Sequence, residues 1–163
     1  PQSVYGRTKL EGEQAIKKSG CLYIIIRTAW LYSGYGHNFV KTISRLASER
    51  DELNVVNDQW GTPTYAGDLA EAIISIMERD DLPELEGVYH FTNEGACTWY
   101  DFAKEIVAFT GANCKVNPVT TEEYPSKVKR PAYSILDKTK IKETFDLEIR
   151  DWREALKSCM ATF

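Results

Sequence analysis

An α/β fold organised around a parallel sheet is predicted by three features of the sequence. Segments with helical apolar spacing alternate with short apolar runs along the chain. The run opening CLYIIIRTAWLY, residues 21–32, is continuous rather than alternating, as in strands covered on both faces of a parallel sheet. The 163 residues, 43% hydrophobic and 27% charged, match the composition of ordinary globular domains and suffice for a sizeable core.

Each element has its own justification. A first helix is expected from about residue 5 to 18, with Leu10, Ala15 and Ile16 on its apolar side and Ser19-Gly20 ending it. The buried strand of residues 21–32 follows, then a loop at 33–36. Phe39, Val40, Ile43 and Leu46 recur at helical spacing and predict a second helix to about Glu49. LNVVND, residues 53–58, reads as a strand, whereas the Gly and Pro of QWGTPTYAG, residues 59–67, predict an irregular loop. Asp68 is expected to cap a helix running through Met77, with Leu69, Ile73 and Ile76 facing inward. GVYHFTN, residues 87–93, reads as another strand. Thr98 and Asp101 have capping-box spacing at the head of a further helix that Gly111 ends. KVNPV, residues 115–119, suggests an edge strand broken by Pro118. Beyond it come a loop with Pro125 and Pro131, a short helix at about 138–144 and a last helix from about Ile149. No internal repeat or low-complexity stretch is visible.

Charge and composition narrow the function classes. A formal net charge of -4 supplies no general attraction for nucleic acid or anionic lipid, so local Arg and Lys must meet any phosphate. Cys21, Cys97, Cys114 and Cys159 contain no C-x-x-C, which predicts reduced thiols and a cytoplasmic protein. His37 and His90 have no second ligand at metal spacing, and no metal is assigned to them. No apolar run approaches the roughly 18 residues of a membrane span, and no signal peptide is recognisable. The first residue is not Met, and the chain is expected to be part of something longer. The Gly-rich turn that lets a doubly wound sheet cradle a dinucleotide pyrophosphate does not occur: neither G-x-G-x-x-G nor G-x-x-G-x-x-G is present. Either the protein binds no dinucleotide or that half lies upstream.

The opening residues Tyr5-Gly6-Arg7-Thr8-Lys9 carry a chemical motif. On a helix, positions i and i+4 share a face, so the phenol of Tyr5 and the ammonium of Lys9 point the same way. Hydride addition to a carbonyl places negative charge on oxygen, and a phenol of ordinary pKa near 10 donates to it poorly without a neighbouring cation. A solvated helix face gives the same spacing without any chemistry. Context decides between the two readings. After the pair come Glu11 and Glu13, then a strand ending in Arg27-Thr28-Ala29-Trp30, the order found in extended short-chain dehydrogenase/reductases. Further on, Asn38-Phe39-Val40-Lys41-Thr42, Asp58-Gln59-x-Gly61-x-Pro63-Thr64, Asp68-Leu69-Ala70, Gly87-Val88-Tyr89-His90 and Arg130-Pro131-x-x-Ser134 together resemble the C-terminal half of dTDP-4-dehydrorhamnose reductase, from residue 1 to about 157.

The resemblance implies the C-terminal part of a Rossmann-like doubly wound sheet plus a smaller α/β substrate-binding domain. Residues 1–35 and 68–93 would be the remaining Rossmann elements, residues 36–67 and 94–163 the substrate-binding domain, with the N-terminal dinucleotide-binding half absent. Such enzymes reduce the 4-keto group of dTDP-4-dehydro-L-rhamnose with NADPH or NADH, giving dTDP-L-rhamnose. By the same resemblance Tyr5 is the proton donor, and Lys9 both assists it and holds the nicotinamide ribose, so both are catalytic and cofactor-binding. Trp30 would line the sugar pocket, where an indole suits the apolar side of a deoxyhexose, although a core role is the alternative. Asn38 would bind substrate or simply cap the helix beginning at Phe39. Gln59, Thr64 and Arg130 would lie in loops over the nucleotide sugar, with Arg130 the natural partner of a diphosphate. Arg27 is assigned to neutralising a carboxylate within the fold, and Asp68 to capping.

Some members of that family form an Mg-linked dimer, so Mg and a homodimer are allowed, with no ligands placeable in this chain. The expected partner is a dTDP-linked 6-deoxy-4-keto sugar, with no nucleic acid and no membrane. The chain by itself is expected to be inactive. Two alternatives stand: a non-catalytic regulator resembling the methionine adenosyltransferase beta subunit, and a reductase of another nucleotide-linked 4-keto sugar.

Overall fold

A computed structural model describes residues 3–124 and 130–162; the Pro125 end of the expected Pro125–Pro131 loop lies outside them. Helix α1, Val4–Lys18, is capped by the Ser3 hydroxyl, which accepts from the Gly6 N–H at 3.1 Å. It ends at Ser19, followed by Gly20 at φ 74, where glycine carries no Cβ penalty. Strand β1, Ile24–Arg27, pairs in parallel with β6, Gly87–His90, in the register Ile24↔Gly87 to Arg27↔His90. The apolar run is therefore not one strand covered on both faces. Its isoleucines are only half-buried because β1 pairs along one edge, and the chain breaks at Thr28 to Trp30 before β2, Leu31–Tyr32.

Asn38 accepts from the Lys41 N–H at 3.1 Å and caps α2, Phe39–Glu49, which buries Val40, Ile43 and Ala47. Strand β3, Glu52–Val56, pairs in parallel with β8, Lys115–Val119. Pro118 does not break β8. It sits opposite Val55 in a strand whose only partner among the described residues is β3, so its missing N–H costs no ladder bond. The QWGTPTYAG segment is not wholly irregular either. Trp60–Gly61 forms β4, antiparallel to β7, Cys97–Thr98, and Thr64–Tyr65 forms β5, parallel to β2. Pro63 falls between the two short pairings, where no N–H is required.

Helix α3 spans Ala66–Met77 with Tyr65 as N-cap, so Asp68 does not cap it. Ala66 and Gly67 are already helical, which puts Asp68 in the first turn, where the helix dipole favours a carboxylate. There Asp68 accepts from Arg150 Nε at 2.9 Å and from the Asn93 amide at 2.6 Å, while the Asn93 carbonyl oxygen takes the Tyr65 N–H at 2.8 Å. The inward stripe is Leu69, Ala72 and Ile76; Ile73 is exposed with Ile74 and Met77. Helix α4, Trp99–Thr110, has the expected capping box of Thr98 and Asp101 and ends at Gly111 with φ 67. Helices α5, Thr139–Phe145, and α6, Trp152–Met160, complete the chain; α6 begins past Ile149 because Asp151 is its cap and Ile149 packs inward.

Two apolar clusters result among the described residues. The larger gathers Val40, Phe102, Ile106, Trp152 and Leu156 from α2, α4 and α6 under β3. The smaller joins Ala72 and Ile76 of α3 to Tyr89 and Phe91 at β6 and to Ile141 and Phe145 of α5. Among the described residues, no helix is long and apolar enough to cross a membrane.

Candidate functional site

The site is built beside the larger cluster, against which Trp30 and Trp99 pack. Glu13 on α1 accepts from Arg27 Nε at 2.7 Å and from Nη2 at 2.6 Å, fastening the helix to the end of β1. This is the carboxylate that Arg27 was expected to neutralise. Arg27's hydrogen bonds hold the Glu13 carboxyl below its ordinary value. So anchored, α1 presents Tyr5 to a cleft of about 420 Å³ lined also by Thr28, Trp30, Gln59, Trp99 and Arg130. Lys9 lies one turn along, its Nζ 5.5 Å from the centre of the Tyr5 ring. Both side chains are open to solvent on their outer side.

Trp30 forms the cleft wall in an unusual backbone conformation. Its φ is 49, left-handed, a region that a bulky residue occupies only at a cost of order 1–3 kcal/mol and only when its surroundings over-determine it. Those surroundings are visible. The Thr64 N–H donates to the Trp30 carbonyl at 3.2 Å, the Thr64 hydroxyl donates to the Ala29 carbonyl at 2.7 Å, and the Thr28 hydroxyl donates to Thr64 Oγ1 at 3.1 Å. The indole then stacks on Trp99 with ring centroids 3.6 Å apart and planes 14° from parallel. Trp99 owes its position to the capping box, which makes it the first residue of α4; Phe39 packs against its ring at 4.6 Å.

The opposite side of the cleft comes from residues 130–134, docked on β4 through main-chain bonds. The Trp60 N–H donates to Ala132 at 2.8 Å, and the Ser134 N–H donates to Trp60 at 2.9 Å. This brings the Arg130 guanidinium to 5.8 Å from the Trp99 ring centre, within cation–π range. Gln59 is buried at the base, its amide donating to Thr121 Oγ1 at 3.0 Å. Thr121 in turn donates to Asp58, whose carboxyl these bonds hold below its ordinary value. A second cavity of about 780 Å³ opens between α2, β3 and Tyr124, sharing Gln59, Trp99 and Arg130 with the first.

Of the residues picked out by sequence, Tyr5, Trp30, Gln59 and Arg130 therefore line one cleft, with Lys9 beside Tyr5. Two do not line it. Thr64 is fully buried with its hydroxyl engaged, and Asn38 spends its side chain on the α2 cap and on the Ser33 carbonyl, to which its amide donates at 2.7 Å. Sequence reasoning missed Trp99 and Ser134. Trp99 had a signal, an aromatic residue directly after a capping box at a helix head, but nothing local says which way it points. Cys97, Cys114 and Cys159 are buried and unpaired, and burial pushes the Cys97 thiol up to about 12 and that of Cys159 up to about 11, which disfavours the thiolate at these two. Among the described residues no cluster of His, Cys, Asp and Glu is arranged to hold a metal ion.

The RmlD substrate binding domain family model matches residues 1–163. A curated dTDP-4-dehydrorhamnose reductase of Aggregatibacter actinomycetemcomitans is 46% identical over 171 residues, covering 99% of this chain and 58% of that protein. Among solved structures, the dTDP-4-dehydrorhamnose reductase of Bacillus anthracis in complex with NADP superposes with a TM-score of 0.93 at 40% identity, covering 100% of this chain and 57% of its own. The Clostridium acetobutylicum protein gives 0.90 at 48% identity, covering 99% and 56%. The chain thus spans little more than half the length of the relatives it matches, and its α/β architecture is that of the Rossmann-like reductases. On this match along its whole length, the chain belongs to the RmlD substrate binding domain family.

Proposed function

We propose that this chain forms the substrate-binding part of a reductase that transfers a hydride from NADPH or NADH to the 4-keto group of dTDP-4-dehydro-L-rhamnose, giving dTDP-L-rhamnose in a cytoplasmic pathway. The observation that carries the reading is the convergence of a phenol, an indole pair and a guanidinium on one cleft. The relatives' names supply the substrate class. In this reading Tyr5 Oη gives its proton to the carbonyl oxygen as negative charge develops there, and the Lys9 ammonium stabilises the phenolate left behind. The indole edges of Trp30 and Trp99 meet the apolar side of the sugar, Gln59 contributes a hydrogen bond from the cleft base, and Arg130 pairs with the diphosphate. Thr64 and Asn38 serve by holding the backbone rather than by touching ligand.

The residues present fit one end of the cofactor. Lys9 and Tyr5 stand exposed on one face of α1 at the cleft mouth, where a ribose hydroxyl can reach both. When bound, the nicotinamide supplies the hydride; no residue of this chain offers a Gly-rich turn for its pyrophosphate. A division into residues 1–35 plus 68–93 and residues 36–67 plus 94–163 belongs to the same proposal, supported by the two apolar clusters, with α5 and the 147–149 segment packing on the first unit's sheet. Homodimerisation is included without an assigned interface. The test is Tyr5→Phe in the full-length protein, which keeps the ring and removes the hydroxyl. Turnover of a dTDP-linked 4-keto sugar should fall by about 10² to 10⁴ with the melting temperature nearly unchanged. Wild-type turnover in that variant would refute Tyr5 as the proton donor, whereas an unaltered full-length protein that turns over no such sugar would favour a regulatory subunit.

A further inference from the structure

We propose that Gly61 and Thr64 are positioning residues that act through Trp30, and that the Trp30–Trp99 stack they hold in place sets how a ligand runs from Tyr5 toward the second cavity. The inference deepens the reductase reading and rests on it for the identity of the ligand. Its starting point is space. A Cβ added to Gly61 would lie 2.5 Å from both Cε2 and Cζ2 of Trp30 and 2.9 Å from Ser134 Oγ. Non-bonded carbon atoms pack at about 3.5 to 4.0 Å, so no side chain fits at residue 61 while the indole stays where it is. Nor can the indole give way toward Trp99, whose ring is already at stacking distance, 3.6 Å.

The backbone is held as tightly as the ring. Thr64 is fully buried and engages the carbonyls of both Ala29 and Trp30, on either side of the residue at φ 49. One residue clears the space and the other clamps the main chain. Both belong to the segment 58–64, in which glycine and threonine otherwise read as ordinary loop residues. The consequence concerns the cleft. Trp99, with Gln59 and Arg130, lines both cavities and Trp30 only the first, so the stack flanks the boundary where the two spaces adjoin. A ligand with its carbonyl at Tyr5 and its remainder in the larger cavity must pass the edge of this stack, beneath Arg130. A rigid stack fixes the reach between those two ends and thereby selects ligands by length.

The test uses the full-length protein and a probe that needs no ligand. Two indoles stacked this closely give an exciton couplet in circular dichroism. Gly61→Ala should abolish it, as should Thr64→Val, which keeps the shape but removes the hydroxyl; Thr64→Ser, which keeps the hydroxyl, should retain it. With a dTDP-linked 4-keto sugar as substrate, KM should rise about tenfold in the first two variants, more than kcat falls, and Thr64→Ser should stay near wild type. If Gly61→Ala does not fold, Thr64→Val against Thr64→Ser carries the comparison. A couplet that persists in folded Gly61→Ala or Thr64→Val protein overturns the positioning roles. Loss of the couplet with unchanged KM overturns the role of the stack in selecting ligand. A wild-type protein that shows the couplet but reduces no such sugar defeats the reductase reading alone, and loss of the couplet in the variants still supports the positioning assignment.

Discussion

At the residue scale, the chemistry of the cleft rests on side chains whose neighbours explain them. Lys9 sits 5.5 Å from the Tyr5 ring and has no partner carboxylate in the described ion pairs. Replacing it by Met in the full-length protein keeps the aliphatic length and removes the charge. Turnover should drop, and the dissociation constant for NADPH or NADH should rise in a direct titration, because one ammonium serves both tasks; unchanged cofactor binding would limit Lys9 to assisting Tyr5. Trp30 is instructive in a different way. Its place at the end of β1 was legible, since ligands of open α/β sheets gather at the carboxyl ends of strands. Its strained backbone was not, because that conformation is imposed by Thr64, 34 positions away in sequence, through hydrogen bonds that no local pattern announces. Thr64 illustrates the converse: a polar residue in a binding-loop motif whose hydroxyl is consumed within the fold.

At the element scale, caps and glycines made the helices readable. The Asn38 cap, the Thr98–Asp101 box and the terminating Gly20 and Gly111 act through contacts within three or four residues, so their effects follow from order alone. The attachment of α1 depends instead on Glu13 and Arg27, and it carries a pH signature. The hydrogen bonds from Arg27 lower the Glu13 pKa below the ordinary 4.5, so the pair stabilises the fold above that value. That contribution is lost as pH falls through the lowered folded value. Arg27 remains charged throughout. Its side chain is 43% exposed, so screening keeps the pair to at most about 1 kcal/mol. Glu13→Gln should accordingly lower the melting temperature by a few degrees at neutral pH, with the gap to wild type closing as the pH is taken well below 4.5. A gap that persists under acid would mean that packing, not charge, attaches the helix. The two-residue strands β4 and β5 were beyond the reach of sequence reading: each is stabilised by pairing with a distant partner, Cys97–Thr98 or Leu31–Tyr32, and a dipeptide has no periodicity.

At the scale of the whole molecule, these 163 residues cover 58% of one curated relative and 57% of the Bacillus anthracis structure, and they contain no Gly-rich turn. Residues 1–163 alone should therefore show no measurable affinity for NADPH or NADH in a fluorescence titration and no reductase turnover; micromolar binding would mean that the pyrophosphate is held by groups other than helix-terminal glycines. The sequence by itself determined the α/β class, the family, the helices with the caps of α2 and α4, and the pairing of Tyr5 with Lys9, because each depends on neighbours within about one turn or on motifs kept in linear order. Only the tertiary structure decided which of the marked residues share a cleft, that Trp99 completes it, and that Thr64 and Gly61 work behind Trp30. Those relations join residues 30, 61, 64, 99 and 130 through ring stacking, hydrogen bonds and excluded volume, which act over distances in space that the order of residues does not encode.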